Sequence, residues 1–184
     1  MKLKHLLLAG VAAGAANMAM AAAPDQITFS GEVVESTCAV TVVGAMAGEV
    51  KLPTVNTSKL AAANDTAGDT PFSLKVAACS VTDTLATKIK PSFFATEVDG
   101  TDLANSGGSA TKVAIRLFED SVESRGYTGN TALNFSTGYA TTSTFQDIPT
   151  AGDLEFPFVA KYVATGTATP GTVVAIVNYE LIYD

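Results

Sequence analysis

The chain of 184 residues carries 11 Lys and Arg against 18 Asp and Glu, a formal charge of −7, with one histidine and no tryptophan. So acidic a chain lacks the basic footprint of a nucleic-acid binder. The one histidine, His5, falls in an N-terminal export signal, and without it there is no Ser-His-Asp triad, Cys-His pair or imidazole metal site.

That signal comes first along the chain. Lys2, Lys4 and His5 precede an apolar run over 6–16 and then Ala19-Met20-Ala21. This is a basic head, a hydrophobic stretch and an A-x-A cleavage site, too short and too rich in Gly and Ala for a spanning helix or retained anchor. Residues 1–21 are therefore expected to be removed, and the mature chain to begin at Ala22. It keeps nine basic residues, the eleven less Lys2 and Lys4, against eighteen acidic ones, a formal −9.

Residues 22–26 are small and polar, disordered when unpaired. Ile27, Phe29, Gly31 and Val33 then alternate with mostly polar neighbours, the period of a strand with one apolar face. Gly31 weakens such a strand unless another chain or side chain approaches closely there; a bulge in an ordinary first strand is the simpler reading. Further strands are predicted over 38–43, 50–55 (interrupted at Pro53), 72–78, 88–98, 112–119 and 154–162. A helical turn is expected over 58–63, and loops over 64–70 and 99–109. Residues 121–150 read as polar, with Leu133, Phe135, Tyr139 and Phe145 as anchors. The turn 165–171 is expected to join 154–162 and the last strand into a hairpin-like pair.

The last fourteen residues organise the chain. Val173, Ala175, Val177, Tyr179, Leu181 and Tyr183 point to one side, while Val174 and Ile176 make the early half apolar on both faces. Such a strand suits the centre of a sandwich, yet nothing follows Asp184 to cover its free edge, and long apolar edges aggregate. Thr, Val, Ala and Gly dominate, no repeat or linker divides the chain, and turn signals punctuate short apolar stretches. The expectation is one all-β sandwich domain. In an exported chain the only cysteines, Cys38 and Cys79, read as one disulfide, against the alternative of two free thiols. Closing a loop of about 42 residues stabilises by roughly 4 kcal/mol in the chain-entropy picture.

Other motifs are weaker. Asp99-Gly100-Thr101-Asp102 lacks the dense oxygen ligands of a calcium loop and reads as a solvated turn. Glu119, Asp120 and Glu123 read as surface carboxylates rather than an acid–base set. The sequons at Asn56, Asn64 and Asn134 read as chance in so Ser/Thr-rich a chain.

Gly31-Glu32-Val33-Val34 before Cys38-Ala39-Val40, and Thr70-Pro71-Phe72-Ser73 before Cys79, are similar to segments of the chaperone–usher pilins of the type 1 fimbrial major-subunit family. So are 156–165 and Ala168-Thr169-Pro170-Gly171, with Gly171 fourteenth from the end and Tyr183 penultimate. The matched stretches span under half of the mature chain but lie at both ends and around both cysteines. The resemblance implies an incomplete immunoglobulin-like β-sandwich over 36–184, completed by a donor strand from a neighbouring subunit's 22–35 extension. It implies Ile27, Phe29, Gly31 and Val33 as donor positions. Gly171, Val173, Val177, Tyr179, Leu181, Tyr183 and Asp184 then form the acceptor groove and terminal strand. The Asp184 carboxylate would be held by basic residues of a periplasmic chaperone, before assembly at an outer-membrane usher into a homopolymer on the cell surface. No cofactor or catalysis is implied. Two other classes stand beside this one: a secreted, closed, monomeric sandwich that binds a ligand, and a weak hydrolase using Ser/Lys or paired carboxylates.

Overall fold

The computed structural model describes residues 38–46, 48–77, 87–120, 131–149 and 152–184. The signal, the donor positions Ile27, Phe29, Gly31 and Val33, and also Cys79 and Glu123, lie outside them. The first strands are β1 (Ala39–Val43), β2 (Thr66–Ala77), β3 (Lys88–Phe94), β4 (Val98–Asp99) and β5 (Asp102–Ala104). They are followed by β6 (Val113–Glu119), β7 (Thr131–Ala132), β8 (Tyr139–Thr141), β9 (Gln146–Asp147), β10 (Leu154–Ala164) and β11 (Asn178–Tyr183). The only helical element among the described residues is a 3-10 turn, Thr57–Lys59.

Two antiparallel sheets result. The larger runs β1-β2-β10-β6-β5-β4, with β7 also on β6; the smaller runs β11-β3-β8, with β9 also on β3. Their inward faces follow the period of two: Phe72, Leu74 and Val76 from β2, Ile115 and Leu117 from β6, and Phe156 and Phe158 from β10 meet Ile89 and Phe93 of β3. The centre is aromatic. Phe158 stacks on Phe72 at 5.4 Å and takes the edge of Phe93 at 5.1 Å, so one ring ties both sheets together.

Several sequence expectations change, each for a physical reason. The segment 50–55 joins no ladder: Pro53 lacks an N–H and no described strand lies beside it. β2 starts at Thr66, inside the expected loop. Gly68, at φ +76°, admits the bulge opposite Tyr162, whose ring would lie 2.9 Å from any Cβ at that position. The loop 99–109 contains β5. The expected strand 88–98 stops at Phe94, where Ala95 turns to donate to the Gly138 carbonyl.

Pro91 splits the far edge of β3 into β8 and β9: with no N–H to offer, it leaves only its carbonyl, which accepts from both the amide and hydroxyl of Thr142. β10 and the last strand are not a hairpin. Both edges of β10 are already taken, by β2 and β6, so the chain must cross to the other sheet before it can pair. The helical turn is shorter than expected and is capped by the Asn56 side chain, which accepts from the Ser58 amide.

The minor motifs also resolve. Asp102 is buried, and both its oxygens receive the Arg116 guanidinium, at 2.6 and 2.8 Å. That pairing raises the Arg116 pKa and removes the carboxylate from any cation site. Asp120, expected at the surface, is buried. The Asn134 side chain accepts from the Ser136 amide, a local turn contact.

Candidate functional site

A cleft of about 900 Å³ opens between the segment around Val50, Leu52 and Val55 and the segment from Ala168 to Val177. Its floor is the core itself: Phe72, Leu74, Phe93, Leu103, Ile115 and Leu117. Neither wall belongs to a sheet. Along the second, Val173, Ala175 and Val177 turn inward onto the core while Val174 and Ile176 point to solvent. This differs from the central, doubly covered strand expected from a stretch apolar on both faces.

Backbone polarity distinguishes this wall. Lys88 and Asp184 exchange both backbone hydrogen bonds, each 2.9–3.0 Å, which makes them a hydrogen-bonded antiparallel pair. Stepping by two through the register, Ile182 and Lys90, Glu180 and Ser92, and Asn178 and Phe94 are bonded pairs as well. The even-numbered backbone groups therefore face β3, and those of Thr172 and Val174 continue on that side, where the loop 105–111 receives them. The odd-numbered groups of Val173, Ala175, Val177, Tyr179 and Leu181 face the other way. Among the described residues no strand lies there.

An apolar trough thus runs beside a row of unpaired N–H and C=O groups. Buried without partners, each group costs roughly 1–3 kcal/mol. One extended segment would supply all of them with partners while its alternate side chains enter the trough. Among the described residues, the only charged ones lining the cleft are Glu49 and Lys51. Tyr162 on β10 also lines the cleft, and burial raises its phenol pKa.

Of the residues singled out by sequence, Gly171, Val173, Val177 and Tyr179 line this cleft. Leu181 and Tyr183 continue the strand, packed against the core, and Asp184 is bonded through its backbone to Lys88. Gly171 lies so close to Ser109 and Ala110 that a Cβ would come 2.8 Å from the Ala110 Cα. Cys38 is held in a disulfide. Sequence reasoning missed the opposite wall at 50–55, which it took for a paired strand, and the loop 105–111. A proline inside the first and a Gly-Gly step in the second were the available signals.

Comparison with known proteins agrees with this geometry. The profile of the family described as "Fimbrial protein" matches residues 27–184. The chain is 33% identical over 175 residues to the major fimbrial subunit SMF-1 of Stenotrophomonas maltophilia, covering 92% of this chain and 98% of that protein. It is 30% identical over 185 residues to the F17 fimbrial protein of Escherichia coli, covering 98% of each. Among solved structures, the P pilus rod subunit PapA superposes with a TM-score of 0.58 at 15% identity, over 80% of this chain and 99% of that one. That superposition establishes the shared fold, an incomplete immunoglobulin-like sandwich.

Proposed function

Because the chain belongs to the fimbrial protein family, and is accordingly a structural subunit that polymerises into a surface pilus of a Gram-negative bacterium, we propose that its copies join by donor-strand exchange. In this reading residues 1–21 direct export, and 22–35 of one copy lie in the cleft of the next. Ile27, Phe29 and Val33 enter the trough, and Gly31 faces its shallow part. The observation that carries this is the unpaired backbone edge from Val173 to Leu181 beside an apolar trough. A row of unpaired strand groups beside an apolar trough is a ready template for another strand.

A chaperone strand covers the same edge before assembly at an usher, and basic chaperone residues hold the Asp184 carboxylate. Cys38 pairs with Cys79, the only other cysteine in the chain. The reaction is strand addition alone, with no cofactor and no bond chemistry.

The test is deletion of residues 22–34 after the signal. The shortened chain should still capture a synthetic peptide of residues 25–35 yet build no fibres visible by electron microscopy. Long fibres from the shortened chain would overturn the donor assignment. Intact mass of the exported protein should begin at Ala22 and lie about 2 Da below the reduced mass.

A further inference from the structure

Among the described residues, the wall residues 172–174 have no strand beside them on the β3 side; the loop 105–111 stands in for one, through its backbone amides and the Asn105 side chain. Asn105, at the end of β5, accepts the Val174 amide at 2.8 Å through Oδ1 and donates through Nδ2 to the Thr172 carbonyl at 3.3 Å. Accepting from one residue and donating to the residue two before it is how a residue of a parallel strand engages its neighbour. A carboxamide is chemically a peptide group, so Asn105 supplies one rung opposite Val173.

The same amide holds its own loop: Oδ1 also accepts from Gly108, and Nδ2 donates to the Ala110 carbonyl at 2.8 Å. Around it Ala110 donates to the Thr172 carbonyl, Ser106 to the Val174 carbonyl, and Ser109 and Thr172 exchange bonds between amides and hydroxyls. Gly108 allows this approach, because a Cβ there would overlap the Thr172 carbonyl and the Asn105 amide oxygen.

We propose that Asn105 is a positioning residue for strand acceptance: with the Ser106 and Ala110 amides it fixes the wall 172–174 in extended form before a strand arrives, and by taking the Val174 amide it completes the closure of the inner edge, so that addition occurs on the outer edge alone. This rests on the cleft being a strand acceptor. A wall already extended spares the incoming strand the ordering of that backbone, and the observed affinity falls in proportion to the fraction of subunits whose wall is formed.

The test compares the full-length chain with Asn105→Ala and Asn105→Asp. The probe is a fluorescent peptide of residues 25–35 in excess. Asn105→Asp keeps the acceptor for Val174 and Gly108 but loses both donations. With a formed-wall fraction near one in ten, association with Asn105→Ala slows about tenfold. Dissociation changes less than about threefold, and Asn105→Asp falls between. Hydrogen exchange of the Val174 amide accelerates in Asn105→Ala while that of Glu180, within the β11–β3 ladder, does not. Capture by the natural chain with equal association rates in both variants would overturn the role of Asn105. Absence of peptide capture by the natural chain, with no assembly of that chain into polymers by size-exclusion either, would instead overturn the acceptor reading itself. Should Asn105→Ala not fold, Asn105→Asp decides alone: unchanged association and unchanged Val174 exchange reject the inference.

Discussion

β10 and the terminal stretch 172–183 are both long and rich in β-branched and aromatic residues, yet they meet opposite fates. β10 is laddered on both edges, to β2 and β6, and buries Phe156, Phe158, Val159 and Ala160. The terminal stretch is laddered on one edge over 178–183; over 172–177 it is bonded, among the described residues, only at 172 and 174, by a loop, and packs on the core through Val173, Ala175 and Val177. Equal β-propensity thus produces a core strand in one case and a binding edge in the other. Propensity describes a fit to a pleated, half-buried surface; it does not say which side of that surface belongs to the same molecule.

The strongest test of the contrast gives the terminal stretch the neighbour that β10 already has. A copy of 25–35 attached after Asp184 by a short flexible linker, with the native 22–34 removed, meets the groove at an effective concentration in the mM range. Burying Ile27, Phe29 and Val33 contributes about 5–9 kcal/mol before the cost of ordering the strand. The graft should melt well above the shortened chain and stay monomeric; equal midpoints by calorimetry would end the idea that a strand is missing.

Next in size is the loss of the ring that joins the sheets. Phe158→Ala should cost about 3–5 kcal/mol in urea unfolding, since both Phe72 and Phe93 lose their aromatic partner. A cost below 1 kcal/mol would mean that the centre of the core lies elsewhere.

A matched pair of substitutions compares the two strands directly. Val159→Thr places a hydroxyl at a position 0% exposed and should cost roughly 1–3 kcal/mol. Ile176→Thr, at a position 66% exposed, should stay within about 0.5 kcal/mol. Similar losses at both sites would contradict an uncovered outer face on the terminal stretch.

The smallest effect is electrostatic and falls on Tyr162, where β10 faces the cleft. Burial raises its phenol above the ordinary 10.0, because the charged form is the one disfavoured. Its contribution to stability is therefore complete below pH 10.0 and declines as pH rises through the folded value. Tyr162→Phe should flatten that alkaline decline. In the strand-grafted protein the phenol should titrate higher still, as followed by ultraviolet absorbance; an unchanged titration would mean that the added strand does not cover this part of the cleft.

The sequence by itself determined the inward positions of nearly every long strand. Alternation at Phe72, Leu74 and Val76, at Val113, Ile115 and Leu117, and at Phe156 and Phe158 is a local property of a period-two backbone in water. It also exposed the incomplete edge, since apolar alternation running up to Asp184 calls for a cover that the strand does not carry itself. Tertiary structure alone decided which strands are neighbours. β10 is central because β2 and β6 occupy its edges, 50–55 is a bare wall because no strand among the described residues reaches it, and Asn105 matters only because folding brings it to Val174, 69 residues later. Period and propensity are set by adjacent residues, whereas hydrogen-bond partners on a strand's edges come from anywhere in the chain, or from another chain.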